Sequence, residues 1–296
     1  MPTLLDFRRR IRSVKNSQQI TRAMKFVAAA RLRRAQEAAL AARPYARELA
    51  RVLRSTMARI QEPQHPLLER REEKTVLAIV LTGERGLAGA FNTNILRKAN
   101  EFFRANREKK VVTIAVGKKG RDALKKAGFT FAGEWVNVLA RVEFKTAREI
   151  AKLATDLYAE KKVDSVYIIF SEFKTVMTPN LTVEKLLPVE AIREGKGGGE
   201  EQESVKTAEV QVDYIYEQPE AQLLDKLLPR YVETQILRAM LESSASEYAA
   251  RMTAMESATK NAGDVIEALT LYMNKVRQAA ITKEIIEIVS GASYGS

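Results

Sequence analysis

The feature that most constrains the fold of this chain is an apolar repeat with alternating three- and four-residue spacing at each of its ends. The N-terminal repeat runs from Leu4 to Ile60, and thirteen of its seventeen positions are apolar. The C-terminal repeat runs from Leu224 to Ala280, and fourteen of its seventeen positions are apolar. An apolar residue at every 3.5 positions on average is typical of a coiled-coil helix. Such a helix has an apolar stripe along one side, here called the seam, which packs against a partner helix. The repeats therefore predict two long helices, roughly 85 Å and up to roughly 120 Å in length.

The residues between the two repeats have a different pattern. Three short apolar runs are typical of buried strands: 76–81, 111–116 and 163–170. Helical segments are predicted between them, at 92–107, 121–127 and 146–161. The last of these begins with Thr146 and Glu149, which have the spacing of a capping box. This alternation of strands and helices predicts an α/β layer with a mainly parallel sheet.

The order of these parts predicts an α+α/β fold, in which a long antiparallel two-helix coiled coil contains an inserted α/β domain. The expected boundaries are 1–62 for the first helix, 74–190 for the domain, 191–210 for a flexible Gly-rich and acidic linker and 211–296 for the second helix. The second helix is the longer one, so its end should project alone. Residues 281–289 are apolar on most sides of that end, and such a helix needs another protein to cover it.

The net charge of +12 is concentrated in one part of the chain. Residues 1–60 contain 15 Lys and Arg against 3 Asp and Glu, whereas the remainder contains 34 of each kind. A basic helix of this type favours an acidic partner, which is a nucleic acid, an anionic lipid or an acidic protein surface. No apolar run approaches the roughly 18 residues of a membrane helix, so we expect a soluble chain or one held at a membrane by another protein.

The residue types that most often carry catalysis are scarce. The chain has no cysteine and one histidine, His65, which we expect to be a solvated loop residue. Thiolate or histidine metal sites and nucleophilic triads therefore lack their components, and we expect no catalytic residue, metal or cofactor. The glycine-rich turn at 82–92 has the spacing G-x-x-G-x-x-G, which fits neither the dinucleotide fingerprint nor the P-loop.

Two other functions stay open on the sequence. The first is a nucleotide-binding α/β enzyme with helical arms, which the glycine-rich turn suggests. The second is a basic coiled-coil protein that binds nucleic acid, which the N-terminal charge suggests. Against the second, the basic residues of the first helix are interleaved with its apolar seam and do not form a separate block.

Three segments resemble a known family. The runs 9–30, 85–92 and 274–292 are similar to the opening, the first strand–helix turn and the closing signature of F-type ATP synthase gamma subunits. The resemblance implies a Rossmann-like domain at the foot of the coiled coil. It also implies a rotor that is not itself catalytic and that couples proton-driven rotation of the c-ring to conformational cycling of the beta subunits.

The resemblance implies partners and contact residues as well. The coil would stand within three alpha and three beta subunits, and the foot would rest on the c-ring with the epsilon subunit. No nucleic acid is implied, and attachment to the cytoplasmic face of the bacterial inner membrane would be indirect, through the c-ring. The matching positions are Met24 and Lys25 for an acidic loop of beta, Arg277, Gln278 and Thr282 for loops of beta near the tip, and Tyr214 and Glu217 for the foot beside epsilon and the c-ring.

Three of the four polar positions of the first seam follow one another, namely Gln18, Thr21 and Lys25. We interpret them as places where the coiled coil flexes while its helices stay paired. The chain also departs from the family at its end, where Ser293-Tyr294-Gly295-Ser296 follows in place of small residues and a final apolar one. The regulatory cysteine insert of plastid relatives is missing, which favours a bacterial enzyme.

Overall fold

The computed structural model describes residues 3–59, 65–175, 179–189 and 220–293. Its α-helices are α1 (Leu4–Arg59), α2 (Phe91–Ala105), α3 (Lys118–Lys126), α4 (Phe144–Ala159) and α5 (Glu220–Ser293). Its strands are β1 (Thr75–Leu81), β2 (Lys110–Val116), β3 (Thr130–Trp135), β4 (Ser165–Phe173) and β5 (Pro179–Leu187). The chain divides into two compact units, one of Met1–Ala29 with Arg251–Ser296 and the other of Ala30–Ala250. The predicted linker at 191–210 lies outside the described residues.

The first unit is a pair of antiparallel helices. Phe7 of α1 packs against Tyr272 of α5, with ring centroids 5.2 Å apart. Further along α1, the Thr21 hydroxyl lies 2.8 Å from that of Thr259. Contacts that advance along α1 therefore move backwards along α5. Both helices run without a break through this unit, which confirms the predicted antiparallel pair.

The second unit is built on a five-stranded sheet with the order β3-β2-β1-β4-β5. β1 pairs in parallel with both β2 and β4, β2 pairs in parallel with β3, and β5 alone is antiparallel. Six of the seven residues of β1 are buried, because the strand is central and both faces of the sheet are covered. The mainly parallel sheet was predicted correctly, whereas β3 and β5 were not predicted.

Helices cover the sheet on both faces. One apolar cluster joins the sheet to α1, α4 and α5 through residues such as Leu53, Tyr158 and Met240. The other joins it to α2 and α3 through Ile95 and Leu124. Helices on both faces of a parallel sheet are the arrangement of doubly wound α/β domains.

Two local predictions were wrong. α4 begins at Phe144, before the expected capping box, and no side chain caps its first turn. Cation–π contacts of the Phe144 ring with Arg148 and Arg230, at 4.9 and 4.4 Å, favour this earlier start. His65 is not solvated, since its side chain is only 11% exposed and its Nδ1 accepts a hydrogen bond from the Leu67 amide at 3.1 Å.

One segment of α5 is enclosed on all sides. Residues 242–249 are all buried, although they include Glu242, Ser243, Ser244, Ser246 and Glu247. The Ser244 hydroxyl donates to the carbonyl of Leu139 at 2.9 Å, and the Ser246 hydroxyl donates to that of Ser171 at 3.2 Å. Hydrogen bonds to the domain therefore satisfy two of these buried hydroxyl groups. Within the described residues, no helix is both long and apolar enough to cross a membrane.

Candidate functional site

Polar side chains bridge the two helices of the first unit. Gln18 Nε2 donates to the carbonyl of Thr259 at 3.3 Å, and the hydroxyls of Thr21 and Thr259 lie 2.8 Å apart. One turn further, Lys25 Nζ lies 2.5 Å from Glu256 Oε1. These polar residues therefore connect the helices instead of interrupting their contact. A polar pair in an apolar seam fixes the register of a coiled coil, because a shifted register would leave it unsatisfied.

Gly263 of α5 makes room for this polar layer. A Cβ atom at Gly263 would lie 3.2 Å from Gln18 Nε2. Glycine inside a helix costs about 1 kcal/mol relative to alanine, so its use in the middle of α5 needs a local reason. The close approach of the Gln18 amide supplies that reason.

The outer face of α1 in this unit is basic. Arg8, Arg9, Arg10, Arg12 and Lys15 are all exposed, and Asp6 is the one acidic residue among residues 3–29. Hydrogen bonds from the backbone and side chain of Thr3 lower the pKa of Asp6, which stays ionised at the start of the helix. Farther along, Ile20, Phe26 and Val27 are each more than half exposed. Basic and apolar groups thus share a surface that the described residues of the unit leave uncovered.

The last turns of α5 are exposed to solvent. All ten residues of the segment 281–290 are exposed. Five of them are large apolar residues with exposed fractions between 49% and 72%: Ile281, Ile285, Ile286, Ile288 and Val289. Single exposed apolar residues are common, but a cluster of this kind marks a surface that binds another molecule.

The site where a doubly wound sheet binds a nucleotide is already occupied by the chain itself. In such sheets the ligand lies at the carboxyl ends of the strands, where its phosphates meet the backbone amides of a helix N-terminus. Here the Glu84 carboxylate accepts the Lys118 amide at the start of α3, at 3.0 Å. The Thr82 hydroxyl accepts the Gly120 amide at 2.7 Å. These contacts weigh against the nucleotide-binding alternative.

The α5 helix closes the same crevice from the other side. A Cβ atom at Gly83 would lie 2.9 Å from Glu247 Oε1 and 3.1 Å from Asn92 Oδ1. The Gly83 amide donates to that Asn92 oxygen at 2.8 Å. Close packing of α2 and α5 therefore explains the glycine at position 83.

Comparison with known proteins identifies the family. A family model described as ATP synthase matches residues 3–293. The ATP synthase gamma chain of Solibacter usitatus is 48% identical over 297 residues, with 99% of each chain covered. That of Desulforamulus reducens is 48% identical over 293 residues, again with 99% of each covered. The chain belongs to the ATP synthase gamma-chain family. The resemblance seen in the three sequence segments is thus confirmed over the whole length.

Solved structures agree with this assignment. A chain of the central stalk and c-ring of the Tetrahymena thermophila mitochondrial ATP synthase is 25% identical, with a TM-score of 0.60. The match covers 81% of this chain and 99% of that one. A rotor chain of the Euglena gracilis mitochondrial ATP synthase, 20% identical with a TM-score of 0.65, shares the fold over 94% of this chain and 98% of its own.

The structure places most of the contact residues expected for a family member. Met24 and Lys25 lie on α1, where both are partly buried and Lys25 is engaged by Glu256. Arg277, Gln278 and Thr282 are exposed on consecutive turns of α5, and the Thr282 hydroxyl donates to the Gln278 carbonyl at 2.9 Å. The remaining two, Tyr214 and Glu217, lie outside the described residues.

Sequence reasoning missed the polar side of the seam on α5. On α5, Thr259, Glu256 and Gly263 lie opposite the polar residues Gln18, Thr21 and Lys25 of α1. The apolar repeat of one helix does not show which residues of the other helix lie opposite it. Aligning the two repeats as antiparallel partners would have placed Thr259, the polar position between Met255 and Ala262 in the α5 repeat, near Gln18 and Thr21. That alignment was the available signal.

Proposed function

We propose that this chain is the central shaft of an F-type ATP synthase and is not itself catalytic. The exposed apolar end of α5 carries the proposal. A helix with five large apolar side chains on its surface is compatible with function only when a surrounding sleeve covers them. Three alpha and three beta subunits form that sleeve in the proposed assembly. The basic outer face of α1 then meets acidic loops of beta.

The domain of the second unit forms the foot of the shaft. In the proposed assembly it contacts the c-ring and the epsilon subunit, and Tyr214 and Glu217 belong to that contact. The chain is held at the cytoplasmic face of a bacterial inner membrane through the c-ring. Rotation of the ring turns the shaft, and the shaft drives the beta sites through their conformations.

The experiment that tests the proposal is reconstitution. Purified chain is mixed with alpha and beta subunits, and the mixture is analysed by native mass spectrometry and by ATP hydrolysis. We expect a complex with three alpha, three beta and one copy of this chain, with rotation visible by single-molecule imaging. A chain that neither joins alpha and beta nor changes their turnover would refute the proposal. ATP binding by the isolated chain, or salt-dependent DNA binding, would favour the alternative functions instead.

Lys25 allows a sharper test, because its contact within the chain can be separated from a contact with beta. We expect Lys25→Ala to weaken the affinity of the chain for alpha and beta by about fivefold, the effect of about 1 kcal/mol. Glu256→Gln removes the partner of Lys25 on α5 but leaves the cation. An exposed ion pair contributes about 0–1 kcal/mol, and this one stabilises the helix pair within the chain and not the contact with beta, so the matched control should leave the affinity for alpha and beta almost unchanged.

The two variants are compared by titrating alpha and beta with labelled chain at fixed ionic strength. Equal losses in both would mean that Lys25 acts only through Glu256, and the proposed contact of Lys25 with beta would be withdrawn.

A further inference from the structure

Two neighbouring segments at one end of the sheet are strongly basic. Residues 104–110 lead from α2 into β2, and residues 125–130 lead from α3 into β3. The segments lie side by side, because β2 and β3 are parallel partners and Val112 pairs with Thr130. A basic surface of this kind attracts anions. The charged residues of the two segments are six cations, Arg104, Arg107, Lys109, Lys110, Lys125 and Lys126, and one anion, Glu108.

A cavity of about 530 Å³ lies between the two segments. Among the described residues that line it, none is acidic. The rings of Phe103 and Phe129 pack together in its lining, with centroids 4.4 Å apart. Its size is within the range of roughly 300–1,000 Å³ that is typical of cavities for small ligands. The lining consists of four polar residues, Asn100, Arg104, Arg107 and Lys109, and three apolar ones, Phe103, Val111 and Phe129.

The two arginines of the cavity are available to a ligand. Both are exposed, and neither forms an ion pair within the part of the chain that the structure describes. Lys109 differs from them, since its Nζ atom lies 2.7 Å from Glu73 Oε2. Lys185 binds the other oxygen of the same carboxylate at 3.1 Å, so Glu73 is neutralised without Arg104 or Arg107. The cavity therefore keeps two uncompensated guanidinium charges.

The dipole of α2 explains only part of this charge. Cations are common in the last turn of a helix, and Arg104 lies in that turn, but Arg107 lies beyond the end of α2. The carbonyl groups at this end are already engaged, because the Asn106 amide donates to those of Phe102 and Phe103 at 3.1 and 3.2 Å. An anion in the cavity would therefore meet the guanidinium groups and not the negative end of the helix.

We propose that this cavity binds the head group of an anionic phospholipid. The phosphate lies between Arg104 and Arg107, because guanidinium groups bind phosphate oxygens through paired hydrogen bonds. The glycerol and the first methylene groups of the acyl chains lie on the apolar lining beside Phe103 and Phe129. A free phosphate ion would leave this apolar surface unused.

The position of the cavity in the domain favours a lipid as the source of the phosphate. The cavity lies at the amino ends of β2 and β3, and the antiparallel strand β5 ends on the same side of the sheet. Just after β5, the Val189 amide donates to the Leu67 carbonyl at 3.2 Å. The neighbouring His65 Nε2 lies 3.6 Å from Asp225 Oδ1, in the second turn of α5. The beginning of α5 therefore lies at this end of the domain.

The residues proposed to contact the c-ring come just before α5 in the chain, so the same end of the domain would be held close to the membrane. The choice of a lipid thus rests on the proposed function. The anion site does not, because it is formed by residues of this chain alone.

The test is calorimetric titration of the full-length chain with dihexanoyl phosphatidylglycerol below its critical micelle concentration. A soluble lipid is used because the basic face of α1 would attract the chain to any anionic vesicle. We expect saturable binding of one lipid per chain. The double variant Arg104→Gln with Arg107→Gln should bind at least about tenfold more weakly, because it loses both charged contacts with the phosphate.

The matched control is Lys118→Gln with Lys119→Gln. These lysines are exposed in the first turn of α3, at the opposite end of the domain, and their replacement removes the same amount of charge. The control should keep the wild-type affinity within about twofold, since long-range attraction between exposed charges is screened by salt. Equal losses in the two double variants would overturn the site, because net charge alone would then explain the binding.

Two further ligands identify the part of the lipid that is recognised. Glycerophosphoglycerol is the same head group without acyl chains, and it should bind at least about tenfold more weakly than the lipid. Dihexanoyl phosphatidylcholine has the acyl chains but no net charge, and it should also bind more weakly. If glycerophosphoglycerol or inorganic phosphate bound as tightly as the lipid, the cavity would be a site for free phosphate and the lipid proposal would be withdrawn.

Hydrogen exchange with and without phosphatidylglycerol locates the binding. Residues 103–111 and 128–131 should exchange more slowly with the lipid, whereas protection confined to α1 would contradict the proposal. The arginine variant should melt within about 2 °C of the wild type, because both side chains are on the surface. A chain that assembles with alpha and beta but does not bind the lipid would refute this inference alone. A chain that binds the lipid but does not assemble would refute the shaft function alone.

Discussion

Replacing Gly117 with alanine is expected to lower the free energy of unfolding by about 3 kcal/mol or more. Gly117 follows β2 with a φ of +97°, which L-residues rarely adopt. A Cβ atom there would lie 1.9 Å from the carbonyl oxygen of Thr82. The backbone cannot move away freely, because the Gly117 amide donates to Trp135 at 2.8 Å and the Thr82 amide donates to Val116 at the same distance. Urea unfolding of the purified chain measures the loss.

Two other glycines separate the contributions to this effect. Gly128 has a φ of +79° but nothing within 4 Å of its Cβ position, so Gly128→Ala should cost only the backbone strain, about 1 kcal/mol. Gly86 has no positive φ, and no atom lies within 4 Å of its Cβ position. Gly86→Ala should therefore change the free energy of unfolding by less than about 0.5 kcal/mol. If Gly117→Ala lowered the free energy of unfolding no more than Gly128→Ala does, the close approach of Thr82 would not be the cause of the loss in stability.

The second large effect is expected at the exposed end of α5. A variant with Ile285, Ile286, Ile288 and Val289 replaced by serine should lose at least about a hundredfold in affinity for alpha and beta subunits. Covering one such side chain contributes about 1.5 kcal/mol or more, and each 1.4 kcal/mol is a factor of ten in affinity. The isolated chain should keep its melting temperature, because these side chains are exposed in it.

The control changes polar residues of the same turns, replacing Lys283, Glu284 and Glu287 with serine. Serine and isoleucine have similar helix propensities, so the apolar variant should not unwind the segment. Circular dichroism of both variants checks helix content, and native mass spectrometry of mixtures with alpha and beta measures assembly. Equal losses of affinity in both variants would show that the apolar surface is not what the sleeve recognises.

The long helices and the central strands could be predicted because their patterns are strong and local. β1 and β4 each contain an unbroken apolar run, as buried parallel strands do, and in β2 a single threonine, Thr113, interrupts it. β3 has no such run, since Gly133 and Glu134 interrupt it, and none of its residues is fully buried. β5 begins at Pro179 and alternates polar and apolar residues from Asn180 to Glu184, as expected for an antiparallel edge strand, so its signal was present but weaker.

The candidate surfaces were predictable to a different degree. The uneven charge and the apolar end of α5 follow from composition along the chain, and the structure shows both as exposed surfaces. The burial of Glu242, Ser243 and Glu247 could not be predicted from a seam, because a seam describes one face of a helix. Contacts from β4 and from Leu139 reach the other faces, and they depend on tertiary structure that a local pattern does not contain.

The enclosed segment 242–249 has a mechanical consequence. A helix that packs along one face can rotate about its own axis, but a helix that is packed on all sides cannot. Ser244 and Ser246 hold opposite sides of this segment to the carbonyls of Leu139 and Ser171. Twisting the helix about its own axis would break these bonds and drag charged groups through the core. Torque applied to the domain is therefore transmitted to α5 through this enclosed segment.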